Sequence, residues 1–330
     1  MAAHQPANEL PGAGTGHPTT RIDLALFNYE NGGRLPDGGY DFLPLQRAFA
    51  QTEVKPGLIL FCEAKNYRDN AGEAKYAAAE ALSEELGVPY CVELGSMKRG
   101  PMPPAIFYNP EILTLRRWWQ ENDPGAFDDQ RNVARFALRT SSRVAVERTE
   151  FLAFVHHFEP LSGDVRLDEA RRVSRYGDAQ PLPVVGGGDF NASASGSHMP
   201  QRDWLAARFS SRSHKGIGHP DGTWGPDTRA LDYLIGEWDE ANQRRVDGCG
   251  FHSVAELAWL ADPSRPILPT VNEKVDAGGG LLIDHLLVND ARRKHVVAGS
   301  YKVHIPDERY RPPSDHRLVT MALDFDKPGA

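Results

Sequence analysis

Residues 184–193 read VVGGGDFNAS: two β-branched residues, three glycines, an aspartate, a phenylalanine and an asparagine precede a short Ala-Ser end. Val184 and Val185 are typical of the end of a buried strand. The glycines let the backbone turn, or approach another segment closely, where a side chain would not fit. Asp189 and Asn191 follow them either as ordinary turn formers or as a catalytic carboxylate and amide at a strand end.

Short apolar runs along the rest of the chain predict buried strands, and helical patterns lie between some of them. The predicted strands are residues 22–28, 58–63, 89–95, 105–109, 135–140, 150–157, 183–189, 281–288, 302–305 and 317–323. Helices are predicted at residues 71–87, 166–178, 199–209 and 253–262, and long loops at 210–230 and 262–280. Because strands also occur in consecutive pairs, we expect mixed sheets covered by helices and not a simple doubly wound sheet.

The composition is that of an ordinary globular protein. The chain has 330 residues, of which 40% are hydrophobic and 25% are charged, and this length can bury a sizeable core. The formal net charge of −8 argues against general affinity for nucleic acid through phosphate contacts. Local basic patches are still compatible with this balance.

Cysteine usage and the first residues indicate the cellular setting. Cys62, Cys91 and Cys249 are odd in number and form no CxxC pair, so neither a disulfide framework nor a zinc knuckle is indicated. We therefore expect a reducing compartment and a cytoplasmic location.

Residues 1–20 lack a basic start and an apolar run, so they predict a flexible tail and not a signal peptide. No stretch reaches the ~18 apolar residues of a membrane span, and the oligomeric state is left open.

Polar residues that end or interrupt the apolar strands form a series. They are Asn28, Glu30, Glu63, His156, His157, Asp189, Asn191, Asp284, His285, Asp315 and His316. Burying one unpaired carboxylate costs several kcal/mol, so such a series is better explained if its members converge on one site. Hard oxygen ligands without thiols suit Mg²⁺, or Mn²⁺, in preference to zinc. A metal beside His and Asp can polarise a phosphoryl oxygen while a carboxylate activates water, so these residue types favour metal-assisted phosphoester hydrolysis.

Six motifs, in order along the chain, resemble those of the endonuclease/exonuclease/phosphatase superfamily, the DNase I-like phosphoesterases. They are FNYEN (27–31), LILFCEAKN (58–66), AFVHHFEP (153–160), GGDFNAS (187–193), LLIDHLLV (281–288) and PSDHRLV (313–319). GDFN and SDH are the most specific of them. The resemblance implies a fold of the α/β class (α+β mixed sheets): a four-layer α/β/β/α sandwich with two mixed sheets face to face. It also implies a single domain over residues 21–327.

The resemblance implies a divalent metal site, for Mg²⁺ or Mn²⁺. Glu63 matches the principal metal ligand, and Asn28 matches the asparagine that orients the phosphate and the metal. Asp315 matches a second carboxylate near the metal. Glu30 stands where some nucleases carry an additional acidic ligand, so we expect it to assist in metal binding.

The remaining matches imply the catalytic groups. Asp189 matches the carboxylate that orients or deprotonates the attacking water, and Asn191 matches its partner in holding water and phosphate. His157 and His316 match histidines that face the phosphate. Asp284 matches the acid that hydrogen-bonds His316 and favours its charged form.

Two alternatives accompany these matches. Successive strand side chains point to opposite faces, so only one of His156 and His157 should face the cleft, and the family pattern favours His157. Asp232 lies in ALDYLIGEW, which mimics LLIDHLLV. Asp284 is preferred because it lies about thirty residues before the SDH motif, as the family pairing requires.

The predicted function is a metal-dependent phosphoesterase that hydrolyses phosphodiester bonds by in-line attack of water, as a nuclease or phosphodiesterase. A phosphatase of small molecules or lipid headgroups is the alternative function with the same catalytic chemistry. A non-catalytic binding protein that retains the fold is the alternative from another class.

The expected partner is a phosphoester substrate, with nucleic acid one option. Arg212 and Lys215 are candidate contacts to substrate phosphate. On this interpretation the glycines at 186–188 provide clearance at the end of a central strand, beside a phosphate and its metal.

Overall fold

The apolar runs of the sequence form strands that pair into two six-stranded mixed sheets. A computed structural model of the chain describes residues 20–98, 100–120, 132–139, 150–272, 278–307, 309 and 311–326. The predicted tail, residues 1–20, lies outside the described residues except for Thr20. Within the described ranges, no helix has both the length and the apolar character needed to cross a membrane. The division into a tail and one domain over residues 21–327 stays a prediction.

Strands and helices are numbered in chain order. The strands are β1 (Arg21–Asn28), β2 (Leu58–Cys62), β3 (Cys91–Leu94), β4 (Ala105–Tyr108), β5 (Leu113–Trp119), β6 (Val133–Leu138), β7 (Glu150–His157), β8 (Val184–Asp189), β9 (Gly216–Gly218), β10 (Trp224–Pro226), β11 (Glu237–Asp239), β12 (Arg244–Val246), β13 (Phe251–Ser253), β14 (Asp284–Asn289), β15 (Lys302–Val303) and β16 (Val319–Asp324). The helices are α1 (Leu43–Ala50), α2 (Glu73–Leu86), α3 (Gly163–Val173), α4 (Phe209–Lys215), α5 (Arg229–Ile235), α6 (Val254–Ala261) and α7 (Asp290–Arg293).

Each large sheet combines parallel and antiparallel pairs. The first sheet has the order β15-β16-β1-β2-β4-β3, and the second has the order β13-β14-β8-β7-β6-β5. The pairs β1/β2 and β7/β8 are parallel, whereas their outer neighbours β16, β4, β14 and β6 run antiparallel to them. Because parallel strands end at the same edge of a sheet, the residues that follow β1 and β2, or β7 and β8, lie side by side.

The two sheets pack face to face, and their facing side chains form the central core. Leu24 and Leu60 of the first sheet lie in one buried cluster with Val155 and Leu286 of the second. The outer face of the first sheet packs against α1 and α2, and the outer face of the second packs against α3, α5 and α6. Removing this apolar surface from water stabilises the layers by about 25 cal/mol per Å². The predicted four-layer α/β/β/α sandwich is therefore confirmed.

The predicted helix at residues 199–209 is wrong. These residues form turns and irregular backbone, and α4 begins only at Phe209. The carboxylate of Asp203 accepts hydrogen bonds from the backbone N–H groups of Leu205 and Ala206, at 3.0 and 3.2 Å. A short polar side chain that binds nearby backbone in this way offers the chain a turn in place of a helix.

The sequence pattern also missed regular structure on both sides of the core. Strand β5 has the sequence LTLRRWW, and its register with β6 shifts between Leu115 and Arg117, so the alternation of apolar and polar residues is interrupted. The predicted loop at residues 210–230 contains most of α4 and the small hairpin β9-β10. The glycines and prolines that suggested a loop lie in and around that hairpin.

The glycines of β8 make room for neighbouring strands. A Cβ atom on Gly186 would lie 2.2 Å from the ring of Phe154 in β7. A Cβ atom on Gly188 would lie 1.6 Å from the carbonyl oxygen of His156, and the φ angle of Gly188 is +153°. The clearance expected of these glycines is therefore required by the neighbouring strand of the chain itself.

We expect Gly188→Ala to destabilise the fold by at least about 2 kcal/mol, because the new methyl group overlaps the backbone of β7. Gly39→Ala is the matched control, since a Cβ there meets only the side chain of Asp37, at 3.3 Å, on an exposed segment. We expect the control to stay within about 0.5 kcal/mol of wild type. Urea denaturation measures both, and equal midpoints for the two variants would contradict the packing described for β8.

Candidate active site

The candidate residues lie at the ends of the central strands. Asn28 is the last residue of β1, and Glu63 directly follows β2. His157 and Asp189 end the parallel strands β7 and β8 and lie opposite each other in the pairing register. Asp284 begins the antiparallel strand β14 and is paired with Asp189. Motifs that are far apart in the sequence therefore meet because strand direction and register bring them together.

The SDH motif, residues 314–316, joins this group from the first sheet. It precedes β16, which runs antiparallel to β1. The Ser314 hydroxyl donates a hydrogen bond to the carbonyl oxygen of Asn28 at 2.7 Å and accepts one from the backbone N–H of Glu30 at 3.0 Å. Sequence reasoning assigned no role to Ser314, although it is the first letter of the SDH motif. It fixes the motif to the end of β1.

Asp189 is the centre of the cluster. Its side chain is buried, and Oδ1 accepts a hydrogen bond from the backbone N–H of Asn191 at 2.8 Å. Oδ2 accepts one from Asn28 Nδ2 at 3.1 Å. The Nε2 atoms of His157 and His316 lie 3.5 and 3.7 Å from the same oxygen. Donors from both sheets thus converge on one carboxylate.

The surrounding charges keep Asp189 ionised. Burial by itself would raise the pKa of Asp189, but His316, His157 and Lys215 lower it, and the balance lies below the ordinary value. A carboxylate that is both buried and ionised is the form that can accept a proton from water.

His316 and Asp284 form a buried hydrogen-bonded pair. His316 Nδ1 lies 2.7 Å from Asp284 Oδ2. Burial would lower the pKa of His316, but the carboxylates of Asp284 and Asp189 raise it to about 10. The imidazole is therefore protonated at neutral pH, and its Nε2–H points toward Asp189.

The two adjacent histidines at the end of β7 face opposite ways. His157 faces Asp189, as described above. His156 lies on the other side, with its ring 5.5 Å from that of Phe154 and 6.0 Å from that of Phe158. Of the two alternatives, His157 is the residue that the structure places in the cluster.

Asn191 connects the cluster to a lysine on α4. Its φ angle is +50°, and its Nδ2 donates a hydrogen bond to the carbonyl oxygen of Phe158 at 3.0 Å. Its Oδ1 accepts a hydrogen bond from Lys215 Nζ, which also lies 3.3 Å from the carbonyl oxygen of Pro160. Both ends of the Asn191 amide are therefore engaged within the chain, and the ammonium group of Lys215 is held beside Asp189.

Arg212 does not share these contacts. Its guanidinium lies over the ring of Trp224 at 4.9 Å and over that of Phe209 at 5.5 Å. Of the two residues predicted to contact substrate phosphate, the structure brings Lys215 to the cluster and leaves Arg212 on the adjoining surface.

Asn28 and Glu63 have the chemistry expected of metal ligands. Asn28 Oδ1 is buried and has no hydrogen-bond partner among the described residues. Burial raises the pKa of Glu63 to about 7, and the nearby Asp315 adds to this rise. The Glu63 backbone adopts a φ of +67°, and its Oε2 accepts a hydrogen bond from the backbone N–H of Asn31 at 2.7 Å. A desolvated carboxylate and an unsatisfied amide oxygen are groups that a hard divalent cation would stabilise.

Glu30 is placed differently from the other predicted ligands. Its side chain is exposed, in a short 3₁₀ turn that starts after Tyr29. Among the described residues, its one hydrogen bond in the cluster is made by its backbone N–H to Ser314. Direct metal binding by Glu30 stays a prediction, and its position favours Glu63 as the ligand.

A second set of groups also has metal-site dimensions. Ligand atoms of Asp189, Asp284 and His316 lie within 4.8 Å of one another. However, both ring nitrogens of His316 face carboxylates, one at 2.7 Å and the other at 3.7 Å. A protonated imidazole already occupies the position that a cation would take, so this trio is better described as a buried charge cluster in which His316 is hydrogen-bonded to Asp284 and lies close to Asp189.

Asp232, the rival of Asp284 in the sequence, lies outside the cluster. It belongs to α5, and its Oδ1 accepts hydrogen bonds from the backbone N–H and the hydroxyl of Ser195 at 2.9 and 3.0 Å. The same oxygen lies 3.3 Å from Arg245 NH1. This network anchors the segment that follows Asn191.

Comparison with known proteins supports the fold. No protein-family model and no curated protein matches the sequence. An endonuclease/exonuclease/phosphatase family protein of Bacteroides thetaiotaomicron has a TM-score of 0.52 and 15% identity, over 93% of this chain and 99% of that one. A protein of the same description from Bacteroides vulgatus has a TM-score of 0.53 and 13% identity, over 92% and 99%. D. rerio TDP2 complexed with a single-stranded DNA product has a TM-score of 0.52 and 14% identity, over 92% and 98%.

These likenesses establish the fold. The chain has the endonuclease/exonuclease/phosphatase, or DNase I-like, fold, as its six motifs predicted. At 13–15% identity they do not show the activity or the substrate, which have to be argued from the chemistry of the site.

We expect Mg²⁺ or Mn²⁺ to raise the melting temperature of the wild-type protein through Glu63, and Glu63→Gln to remove that rise. A ligand at a hundred times its Kd stabilises a protein by about 2.7 kcal/mol. Without metal, the substitution replaces a desolvated carboxylate by a neutral amide and removes the cost of burying its charge. Glu63→Gln should therefore be at least as stable as wild type. Differential scanning fluorimetry measures both effects.

Glu30→Gln is the matched control and should keep the metal-induced rise, because the Glu30 side chain is exposed. A rise that is lost in Glu30→Gln and kept in Glu63→Gln would contradict the metal site described here.

Proposed function

We propose that the chain is a metal-dependent phosphoesterase that hydrolyses phosphodiester bonds by in-line attack of water. The observation that carries the proposal is the buried, ionised Asp189 with a protonated His316 and the ammonium group of Lys215 beside it. Phosphoester hydrolysis needs a base that accepts a proton from water and cationic groups that stabilise the charge on the phosphate.

The donor set fits a hard divalent cation. Glu63, Asn28 and Asp315 would hold Mg²⁺ or Mn²⁺ through oxygen atoms. When bound, such a cation supplies Lewis acidity that offsets negative charge on the phosphoryl oxygens.

The residues of the chain supply the proton transfers and the orientation. Asp189 orients the attacking water and accepts its proton, while Asn28 and the Asn191 backbone hold the carboxylate in place. As the new P–O bond forms, the P–O bond on the opposite side of the phosphorus breaks, and the leaving oxygen takes a proton from solvent. His316 donates a hydrogen bond from Nε2 to a phosphoryl oxygen, and Asp284 keeps the ring charged. His157 is a second donor beside the same position, and Asn191 positions Lys215 toward the phosphate.

A nuclease or phosphodiesterase is the favoured activity within this class. D. rerio TDP2, which shares the fold, is complexed with a single-stranded DNA product, and this supports a nucleic-acid substrate here. A phosphatase of small molecules or lipid headgroups would use the same groups. A non-catalytic binding function would not explain why Asp189, Asp284 and His316 are buried together. The cytoplasmic location predicted from the cysteines belongs to the proposal as well.

We expect the wild-type protein to hydrolyse bis-p-nitrophenyl phosphate with Mg²⁺ or Mn²⁺ and to stop when EDTA is added. Asp189→Asn should reduce kcat about 10²- to 10⁴-fold, because it removes the group that accepts the proton of water. His316→Gln should reduce kcat about 10²- to 10³-fold, because it removes a charged donor to the phosphate. Release of p-nitrophenol measures the rates. EDTA-insensitive turnover, or full activity in both variants, would rule out the proposed chemistry.

Paired substitutions separate the two candidate acids. We expect Asp284→Asn to reduce kcat by at least about tenfold, since His316 loses the carboxylate that keeps it charged. Asp232→Asn should leave kcat within about twofold and lower the free energy of unfolding by about 1–3 kcal/mol, because Arg245 and Ser195 lose a charged acceptor. Steady-state kinetics and urea denaturation of both variants check this, and the reverse outcome would assign the catalytic acid to Asp232.

A further inference from the structure

An exposed surface beside the cluster combines aromatic rings with positive charge. We call it the α4 strip, and it consists of Phe209, Arg212, Lys215 and Trp224. The ring of Phe209 is 66% exposed. It packs edge-on against Trp224, with ring centroids 5.9 Å apart and an interplanar angle of 86°. Arg212 lies over one face of the Phe209 ring, and the exposure of the residue leaves the rest of the ring accessible to a ligand.

The strip is locally basic in an acidic protein. Residues 204–219 contain Arg208, Arg212 and Lys215, with two histidines and no Asp or Glu, although the formal net charge of the chain is −8. Arg212 makes no ion pair with any described residue, and its guanidinium lies over the Trp224 and Phe209 rings. A guanidinium that lies over aromatic rings keeps its charge for an incoming anion.

The strip is firmly fixed relative to Asp189. At its inner end, Lys215 contacts Asn191. The buried Arg166 donates a hydrogen bond to the carbonyl oxygen of His214 at 2.8 Å, and the backbone N–H of Asp227 donates one to the carbonyl oxygen of Lys215 at 2.9 Å. The rise of an α-helix places Phe209 about 9 Å along the axis from Lys215. That is the length of two or three stacked nucleotides, at about 3.4 Å each.

We propose that the α4 strip binds single-stranded nucleic acid and leads it to Asp189. A base stacks on Phe209, and the phosphates beside it contact Arg212 and Lys215. Aromatic rings bind exposed base faces, which a duplex keeps stacked inside, so the surface suits an unpaired strand. This inference rests on the proposed phosphoesterase function and specifies its substrate class.

The sequence named Arg212 and Lys215 as candidate phosphate contacts but did not reveal the aromatic part of the strip, because Phe209 and Trp224 are distant along the chain. The hairpin β9-β10 brings Trp224 back beside α4, with Gly218 paired to Trp224. The net charge, which argued against nucleic acid, describes the whole chain and not this surface.

The test measures binding and hydrolysis separately. Fluorescence anisotropy follows binding of a labelled oligothymidylate of about 15 nucleotides, within known single-strand site sizes, to the full chain in EDTA. We expect Phe209→Ala to weaken binding roughly five- to hundredfold, the range for losing one stacked base. Arg212→Gln should reduce the slope of log K against log salt by about one phosphate contact.

Tyr76→Ala is the matched control. Tyr76 is 60% exposed on α2, and Lys75 Nζ lies 4.4 Å from its ring centroid, so it is a similar aromatic and cationic pair on another helix. We expect it to bind the oligonucleotide within about twofold of wild type. Phe209→Ala and Tyr76→Ala should hydrolyse bis-p-nitrophenyl phosphate at the wild-type rate, because that substrate is too short to reach Phe209.

Three results would overturn the inference. The first is equal oligonucleotide affinity in Phe209→Ala and Tyr76→Ala. The second is no binding by wild type at about 10⁻⁴ M, the weak end of non-specific affinity. The third is unchanged oligonucleotide binding with loss of sedimentation on phosphatidylglycerol vesicles in Phe209→Ala, which would assign the strip to a membrane surface. Failure of the proposed function is separate, since it appears as absent metal-dependent hydrolysis by wild type.

Discussion

The structure of the site depends on one constraint, the burial of an ionised carboxylate at Asp189. An unpaired charge in this position would cost several kcal/mol, so surrounding groups must compensate it. The compensation comes from both sheets: Asn28 from the first, His157 from the second, and His316 from the segment before β16. The register of β8 with β7 and β14 brings the second-sheet groups to Asp189. The strand pairing that packs the sheets therefore also assembles the site around Asp189.

Charge is divided across the cluster in two parts. Around Asp189 and Asp284, protonated His316 and the ammonium group of Lys215 offset the charge of the two carboxylates. Around Glu63, burial raises the pKa of the carboxyl to about 7, and Asn28 Oδ1 nearby in the fold lacks a hydrogen-bond partner among the described residues. A bound cation would stabilise the groups of this second part, the Glu63 carboxylate and Asn28 Oδ1. This division supports the proposal of a proton-transfer centre beside a metal centre, with both adjoining the place where a phosphate would bind.

The sequence predicts the strand ends well and the surfaces poorly. Asn28, Glu63 and Asp189 could be named because apolar strands give a strong local pattern and a polar residue at the end of one stands out. The turn at Asp203 and the irregular strand β5 were missed because a side-chain hydrogen bond and a register shift override local propensity. Ser314 and the aromatic part of the α4 strip were missed because they depend on contacts between distant segments. The glycines of β8 were recognised as necessary, but only the packing of Phe154 and His156 explains why.

The central claim is that Glu63 and Asn28 hold the metal, while Asp189, Asp284 and His316 form a buried charge cluster beside it. The most direct measurement is anomalous diffraction from crystals of the full chain soaked in Mn²⁺. The account predicts one strong Mn²⁺ peak bonded to a Glu63 carboxylate oxygen and to Asn28 Oδ1, with His316 still hydrogen-bonded to Asp284. A peak bonded to Asp189, Asp284 and His316, with Glu63 unbound, would contradict it.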